Sequence, residues 1–254
     1  MPRKKVLIAV TSHGQLGSTG KPTGYYLSEV SQPYFELSER GFSVDFVSPR
    51  GGKPPLDPGS QTNADPASAR IAATPEIMQR LNESLPPASV HSEDYAGMLF
   101  SGGHGTMWDF AEDAGLSRLA REIYERGGAL AAVCHGPAAL VNLTLSDGSY
   151  LVHGKRVAAF TEAEERAVKL ESVVPFPLAQ RLVERGALHE SAAPWQPKVV
   201  VDGRLVTGQN PASAQGVGRA LVETLLALER GDLAELRALL SRDLSIEVLE
   251  PFDE

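Results

Sequence analysis

ALAAVCHGPAALV, residues 129–141, decides the fold of this 254-residue chain. Its first half is a short continuous apolar run, the pattern of a strand buried on both faces. Three similar runs, KVLIAV at 5–10, FSVDFV at 42–47 and GMLFSG at 97–102, lie upstream and are separated by longer stretches of helix-like composition. Short buried strands alternating with amphipathic helices predict an α/β fold with a mostly parallel sheet covered by helices. In such a sheet, a strand that ends in Cys134 and turns at once into a helix brings that side chain to the carboxyl edge, where ligands bind.

The remaining elements follow from periodicity and turn chemistry. YYLSEVSQPYFELSERG, 25–41, has apolar residues at helical spacing and stops at Gly41, with Pro33 expected to kink or divide it. LSRLAREIYERGG, 116–128, reads as a helix ending at a glycine pair. A strand is expected at RVAAF, 156–160, followed by a helix that opens with the capping-box pair Thr161 and Glu164. PLAQRLVERG, 177–186, predicts a helix, and KVVVDGRLVTG a hairpin turning at Asp202-Gly203. ASAQGVGRALVETLLALERG closes the domain. The Pro- and Gly-rich interval 48–75 contains no convincing core element and reads as a long loop, either a cover over a site or an inert surface insertion. Residues 1–230 are expected to form a single domain, with 231–254 a helical extension and acidic tail.

Composition excludes several classes of partner. The formal net charge is −8, and the 24 Lys and Arg are interspersed with acid, so neither nucleic acid nor anionic membrane is an expected partner. A single cysteine makes no internal disulfide. The apolar run in MPRKKVLIAV is too short for a signal peptide, and nothing approaches the roughly 20 apolar residues of a membrane span. The expectation is a soluble cytoplasmic protein.

The cysteine has two readings. A lone Cys at a strand end can be a small buried hydrophobe. Alternatively, a helix starting at Gly136 aims unpaired N–H groups at the sulfur, which lowers the thiol pKa and supplies donors for an oxyanion. SGGHGTMWDF, 101–110, follows the third strand with consecutive glycines whose N–H groups can complete such a hole; it lacks the spacing of a phosphate loop. Glu29 is either a solvated helix residue or a carboxyl pointing into the same cleft. The six histidines, His13, His91, His104, His135, His153 and His189, form no HExxH or HxH grouping, so no dedicated metal site is expected.

Six ordered motifs carry a resemblance: TSHGQLGSTGKPTGYYLSE, FVSPRGGKPPLDPGS, SGGHGTMWDF, AVCHGPAAL, FTEAEE and LVTGQNPASA, together spanning roughly residues 4–228. The chain resembles the PfpI and class I glutamine amidotransferase-like superfamily, in the branch of heat-shock chaperone-like glyoxalase III proteins, also called D-lactate dehydratases. The resemblance implies a flavodoxin-like three-layer sandwich with Cys134 as nucleophile, His135 as its partner, and Glu165 orienting the histidine, with Glu164 the neighbour it could be confused with. It implies that Glu29 is buried beside the cysteine, that Gly103 and the backbone of His135 form the oxyanion hole, and that His104 and Trp108 shape the pocket wall, although Trp108 also reads as ordinary packing.

The implied reaction converts methylglyoxal to D-lactate without glutathione, through thiolate addition and a proton shuttle by Glu29. It implies no cofactor, a small 2-oxoaldehyde as substrate and a homodimer. Tyr25 and Tyr26 stand where a metal-ligating histidine of the larger relatives would fall. Alternatives are a holding chaperone or oxidative-stress protein, a protein deglycase, and a cysteine peptidase or amidase of the same superfamily.

Overall fold

The computed structural model describes residues 5–61, 65–232, 234 and 238. The central sheet has six strands: β1 (Lys5–Ala9), β2 (Val44–Val47), β3 (Tyr95–Phe100), β4 (Ala129–Val133), β7 (Val199–Asp202) and β8 (Leu205–Gly208), in spatial order β2-β1-β3-β4-β8-β7. Every pairing is parallel except the β7–β8 hairpin at the edge. A separate two-stranded parallel ribbon joins β5 (Arg156–Val157) to β6 (Leu188–His189). Alternate residues of β1 and β4 feed two apolar clusters, Val6 and Ile8 on one side and Leu7 and Ala9 on the other, which is why these strands read as unbroken apolar runs.

Eight α-helices are described: α1 (Leu27–Ser38), α2 (Pro66–Ala72), α3 (Pro75–Asn82), α4 (Thr106–Asp109), α5 (Ala114–Glu125), α6 (Glu162–Ala167), α7 (Leu178–Glu184) and α8 (Ala214–Arg230). Helices α1 and α8 supply the first cluster, through Val30, Leu37, Val217 and Leu221, while α5 and α7 supply the second, through Leu119, Ile123 and Leu182. This is a flavodoxin-like three-layer sandwich.

Four expectations are corrected. Helix α1 runs through Pro33 without a break; α8 packs against it, and Gly218 lies so close that a side chain there would collide with the Pro33 backbone. The 48–75 interval is not a bare loop: it contains the whole of α2, capped by Asp65 and anchored in the core by fully buried Ile71. Only Arg156 and Val157 of the expected 156–160 strand pair as a strand. Ala158 instead donates its N–H to Thr207 Oγ1, and Phe160 donates to the Cys134 carbonyl. After the cysteine, residues 136–140 form a five-residue 3-10 turn in place of an α-helix. The expected hairpin turns as read, with Gly203 at φ 60°. The expected tail structure falls largely on residues 233, 235–237 and 239–254, which lie outside the described residues.

Strand order fixes where a site can form. From β1 the chain crosses by α1 to β2 on one side and later enters β3 on the other, so a switch point opens between β1 and β3 at the carboxyl edge. The loops after β3 and β4 are neighbours there.

Candidate active site

Cys134 is the first residue after β4 and takes a left-handed backbone, φ 61°, which is rare for a residue with a side chain. The strain is held on both sides of the turn. The Cys134 N–H donates to the Gly208 carbonyl, and its own carbonyl accepts from Phe160. Thr106 Oγ1 lies 2.9 Å from the Gly103 carbonyl and 3.1 Å from that of His135, which pins the loop after β3 to the loop after β4. Gly103, at φ 98°, presses against the Gly24 carbonyl where no Cβ would fit.

Two buried carboxyls meet this turn. Glu29, in the first turn of α1, is fully buried, and its Oε2 accepts the Gly102 N–H at 2.7 Å. Its other bonding neighbour is the Cys134 thiol; Oε1 has no nitrogen or oxygen partner. Burial pushes the Glu29 pKa up to about 8, against the opposing pull of the Cys134 and Gly102 bonds. The thiol is driven well above its ordinary value, by burial first and then by the adjoining Glu29 carboxyl.

Glu165, on α6, bridges two imidazoles: His104 Nε2 lies 2.8 Å from Oε1 and His135 Nε2 lies 2.8 Å from Oε2. Burial opposes the Glu165 charge, but the bonds to His104 and His135 outweigh it and bring its pKa down to about 2. An ionised carboxylate only accepts, so both Nε2 atoms carry the protons that point at Glu165 and each Nδ1 faces away from it. Burial, followed by the neighbouring His104, lowers the His135 pKa to about 4 and keeps the ring neutral. His135 Nδ1 faces Cys134 Sγ at 3.3 Å. The two imidazole rings lie 4.0 Å apart, with Phe160 4.3 Å from His135.

The groups open on a cavity of about 470 Å³ lined by Gly103, His104, Cys134 and His135 together with Tyr26, Phe160 and Trp195. Glu29 is not among its lining residues, nor is Trp108, which stacks on His13 with centroids 5.2 Å apart. Glu164 turns away from the imidazoles. Its Oε2 completes the capping box with Thr161, and Oε1 accepts from the Trp195 N–H and from Asn210. The sequence already held the means of separating the two glutamates, since a residue committed to the capping box cannot also orient His135.

The cysteine-dependent covalent route expected from the sequence is corrected by this geometry. Among the described residues, one group of metal-competent donors converges, His104, His135 and Glu165, whose atoms lie within 4.8 Å of one another, and the sulfur is not a member of it. The sulfur touches His135 at its edge. Nothing in its surroundings depresses its pKa enough to make it a thiolate at neutral pH: the α-helix expected to do so is a short 3-10 turn, and burial and Glu29 raise it. The converging trio is also the set that could hold a cation, which would compete with the protons now shared there. Spacing alone gave no sign of it, because its members come from three separate segments, the loop after β3, the turn after β4 and helix α6.

The sequence profile of the DJ-1/PfpI family matches residues 22–224. A glutathione-independent glyoxalase of Saccharomyces cerevisiae is 35% identical over 239 residues, covering 89% of this chain and 99% of that protein. Glyoxalase 3 of Candida albicans is 31% identical, covering 83% and 93%. Among solved structures, the Rapid Encystment Protein 24 KDa of Francisella tularensis superimposes with a TM-score of 0.85 at 37% identity, covering 87% of this chain and 99% of that one. The profile match takes in every strand but β1, the strained turn at Cys134 and the segments that bear His104, His135 and Glu165, so the chain belongs to the DJ-1/PfpI family, in its glyoxalase III-like branch.

Proposed function

We propose that the chain converts a 2-oxoaldehyde into a 2-hydroxy acid without glutathione, by acid–base transfer of a proton between adjacent carbons. The observation that carries this reading is Glu165 bridging His104 and His135, 2.8 Å from each, on a cavity that also exposes Gly103. The glyoxalase relatives of Saccharomyces and Candida support the reaction class. No helix among the described residues is long and apolar enough to cross a membrane.

The aldehyde enters as its hydrate, so water is already added at C1. His104 Nδ1 removes the C1 proton, the C–H electron pair becomes the C1–C2 double bond, and the carbonyl pair moves onto the C2 oxygen. The Gly103 N–H, which has no carbonyl acceptor among the described residues, meets that oxyanion. The imidazolium then returns the proton to C2. One C1 hydroxyl proton passes to the C2 oxygen, leaving a hydroxyl there and a carboxylic acid at C1. Glu165 stabilises the imidazolium while it exists, and neutral His135 holds the far oxygen of Glu165 in place. No step forms a bond to sulfur.

The test is lactate formation from methylglyoxal by purified protein free of glutathione. His104→Ala is expected to lower kcat/KM by about 10²–10⁴-fold, the range for loss of a positioned base. An unchanged rate in that variant, or no turnover by the parent protein, contradicts the proposal.

A further inference from the structure

The cavity is larger and more apolar than a three-carbon carbonyl requires. At about 470 Å³ it falls within the range of clefts that bury drug-sized ligands. Its reactive groups occupy only part of the lining. The rest is mostly apolar and includes Leu16, Pro22, Tyr26, Phe160, Leu170 and Trp195, with Lys21 and Asp57 as charged company. Asp57 is already committed, Oδ2 to Thr23 Oγ1 and Oδ1 to the Gly59 N–H.

Trp195 is the wall residue that most needs explaining. It is 46% exposed and sits at φ 67°, a left-handed backbone that is a clear outlier for a bulky side chain. The conformation is enforced from beneath. The Trp195 N–H donates to Glu164 Oε1 at 2.8 Å, and Asn210 Nδ2 bonds both that same oxygen and the Gln196 carbonyl, at 2.8 Å each. Glu164 is itself fully buried and fixed by the Thr161 capping box. The indole meets Phe160 edge-on, with centroids 5.8 Å apart, and Phe160 packs on His135. The adjacent glutamates of α6 thus divide the work: Glu165 sets the imidazoles, and Glu164 sets the aromatic wall beside them. A half-exposed indole held in a strained backbone by a buried carboxylate is a preorganised contact surface.

From this we infer that the substrates of this site are 2-oxoaldehydes carrying an aromatic or branched apolar substituent, and that Trp195 is the residue that selects them. The inference rests on the acid–base reading above and adds the substituent. The reacting carbons lie at His104 and Gly103 while the substituent packs against Phe160, Leu170 and the face of Trp195, where aromatic pairing favours a ring over a methyl group.

Two measurements test it. In the first, kcat/KM is compared for phenylglyoxal and methylglyoxal, followed as mandelate and lactate, in the parent protein, Trp195→Ala and Trp195→Phe. The parent is expected to prefer phenylglyoxal by at least about threefold, and Trp195→Ala to reduce that preference by about 3–10-fold, mainly through KM, with Trp195→Phe restoring part of it. In the second, 1-phenylpropane-1,2-dione, which has no aldehyde hydrogen to lose, is titrated against intrinsic fluorescence, with saturable quenching expected in the parent and lost in Trp195→Ala. Turnover of methylglyoxal with no preference for the phenyl compound, or equal losses on both substrates in Trp195→Ala, overturns the substituent inference alone. Absence of turnover on either substrate with saturable quenching overturns the acid–base reading and leaves the apolar site standing; absence of both overturns both.

Discussion

Glu29 and Glu165 are buried at the same edge of the same sheet, yet they hold opposite protonation states. Glu29 comes from the first turn of α1 and meets one backbone N–H and a thiol, both weak supports for a charge, so desolvation wins and its pKa rises to about 8. Glu165 comes from α6 and meets two imidazole N–H groups at 2.8 Å, so hydrogen bonding wins and its pKa falls to about 2. Burial is common to both; the partners decide. The same contrast explains why the sulfur beside Glu29 stays protonated while the carboxyl that bridges the imidazoles stays ionised.

The contrast breaks most visibly at Glu165. Glu165→Gln replaces an acceptor for two N–H groups with an amide that can accept from only one, and leaves a buried imidazole unpaired. A loss of about 1–3 kcal/mol in stability and about 10³-fold in kcat/KM is expected, read by urea denaturation and initial rates. In the parent, Glu165 binds fewer protons folded than unfolded between about pH 4.5 and 2, and His135 does so between about 6.5 and 4. Both contributions are present above those windows and are lost as pH falls through them. Glu165→Gln should therefore flatten the acid limb of the stability profile.

An effect of opposite sign on stability is expected at Glu29. Its folded pKa lies above the unfolded value, so the native state binds the extra proton and stability falls as pH rises from about 4.5 to 8. Glu29→Gln, which keeps an acceptor for the Gly102 N–H, should gain on the parent as pH rises, by at most about 5 kcal/mol near pH 9. With the carboxyl gone, alkylation of Cys134 by iodoacetamide should begin at lower pH than in the parent. Thermal denaturation at pH 6 and pH 9 checks the first effect, and the alkylation pH profile the second.

The parts of this arrangement legible from sequence were those encoded locally. Uninterrupted apolar runs such as KVLIAV and ALAAV gave the buried strands, Asp202-Gly203 gave the hairpin, and Thr161 with Glu164 gave the capping box. Glu29 needed the family resemblance, because one acidic residue in a helix looks the same whether it faces water or a thiol. The bridge from His104 to Glu165 spans 61 positions and has no spacing signature. The thiol's protonation could not be read either, since it depends on how far the helix after Cys134 extends and what is buried beside it. Trp195 has no periodic pattern around it in the polar, proline-flanked stretch APWQP, where a tryptophan is itself a signal of an exposed aromatic contact.

The most direct measurement is carboxyl 13C NMR of protein labelled at glutamate side chains, titrated from pH 3 to 10, with Glu29→Gln and Glu165→Gln used for assignment. The Glu29 resonance is expected to move near pH 8, and the Glu165 resonance to be already that of a carboxylate at pH 4. Two carboxyls titrating together near pH 4.5 would contradict both expectations.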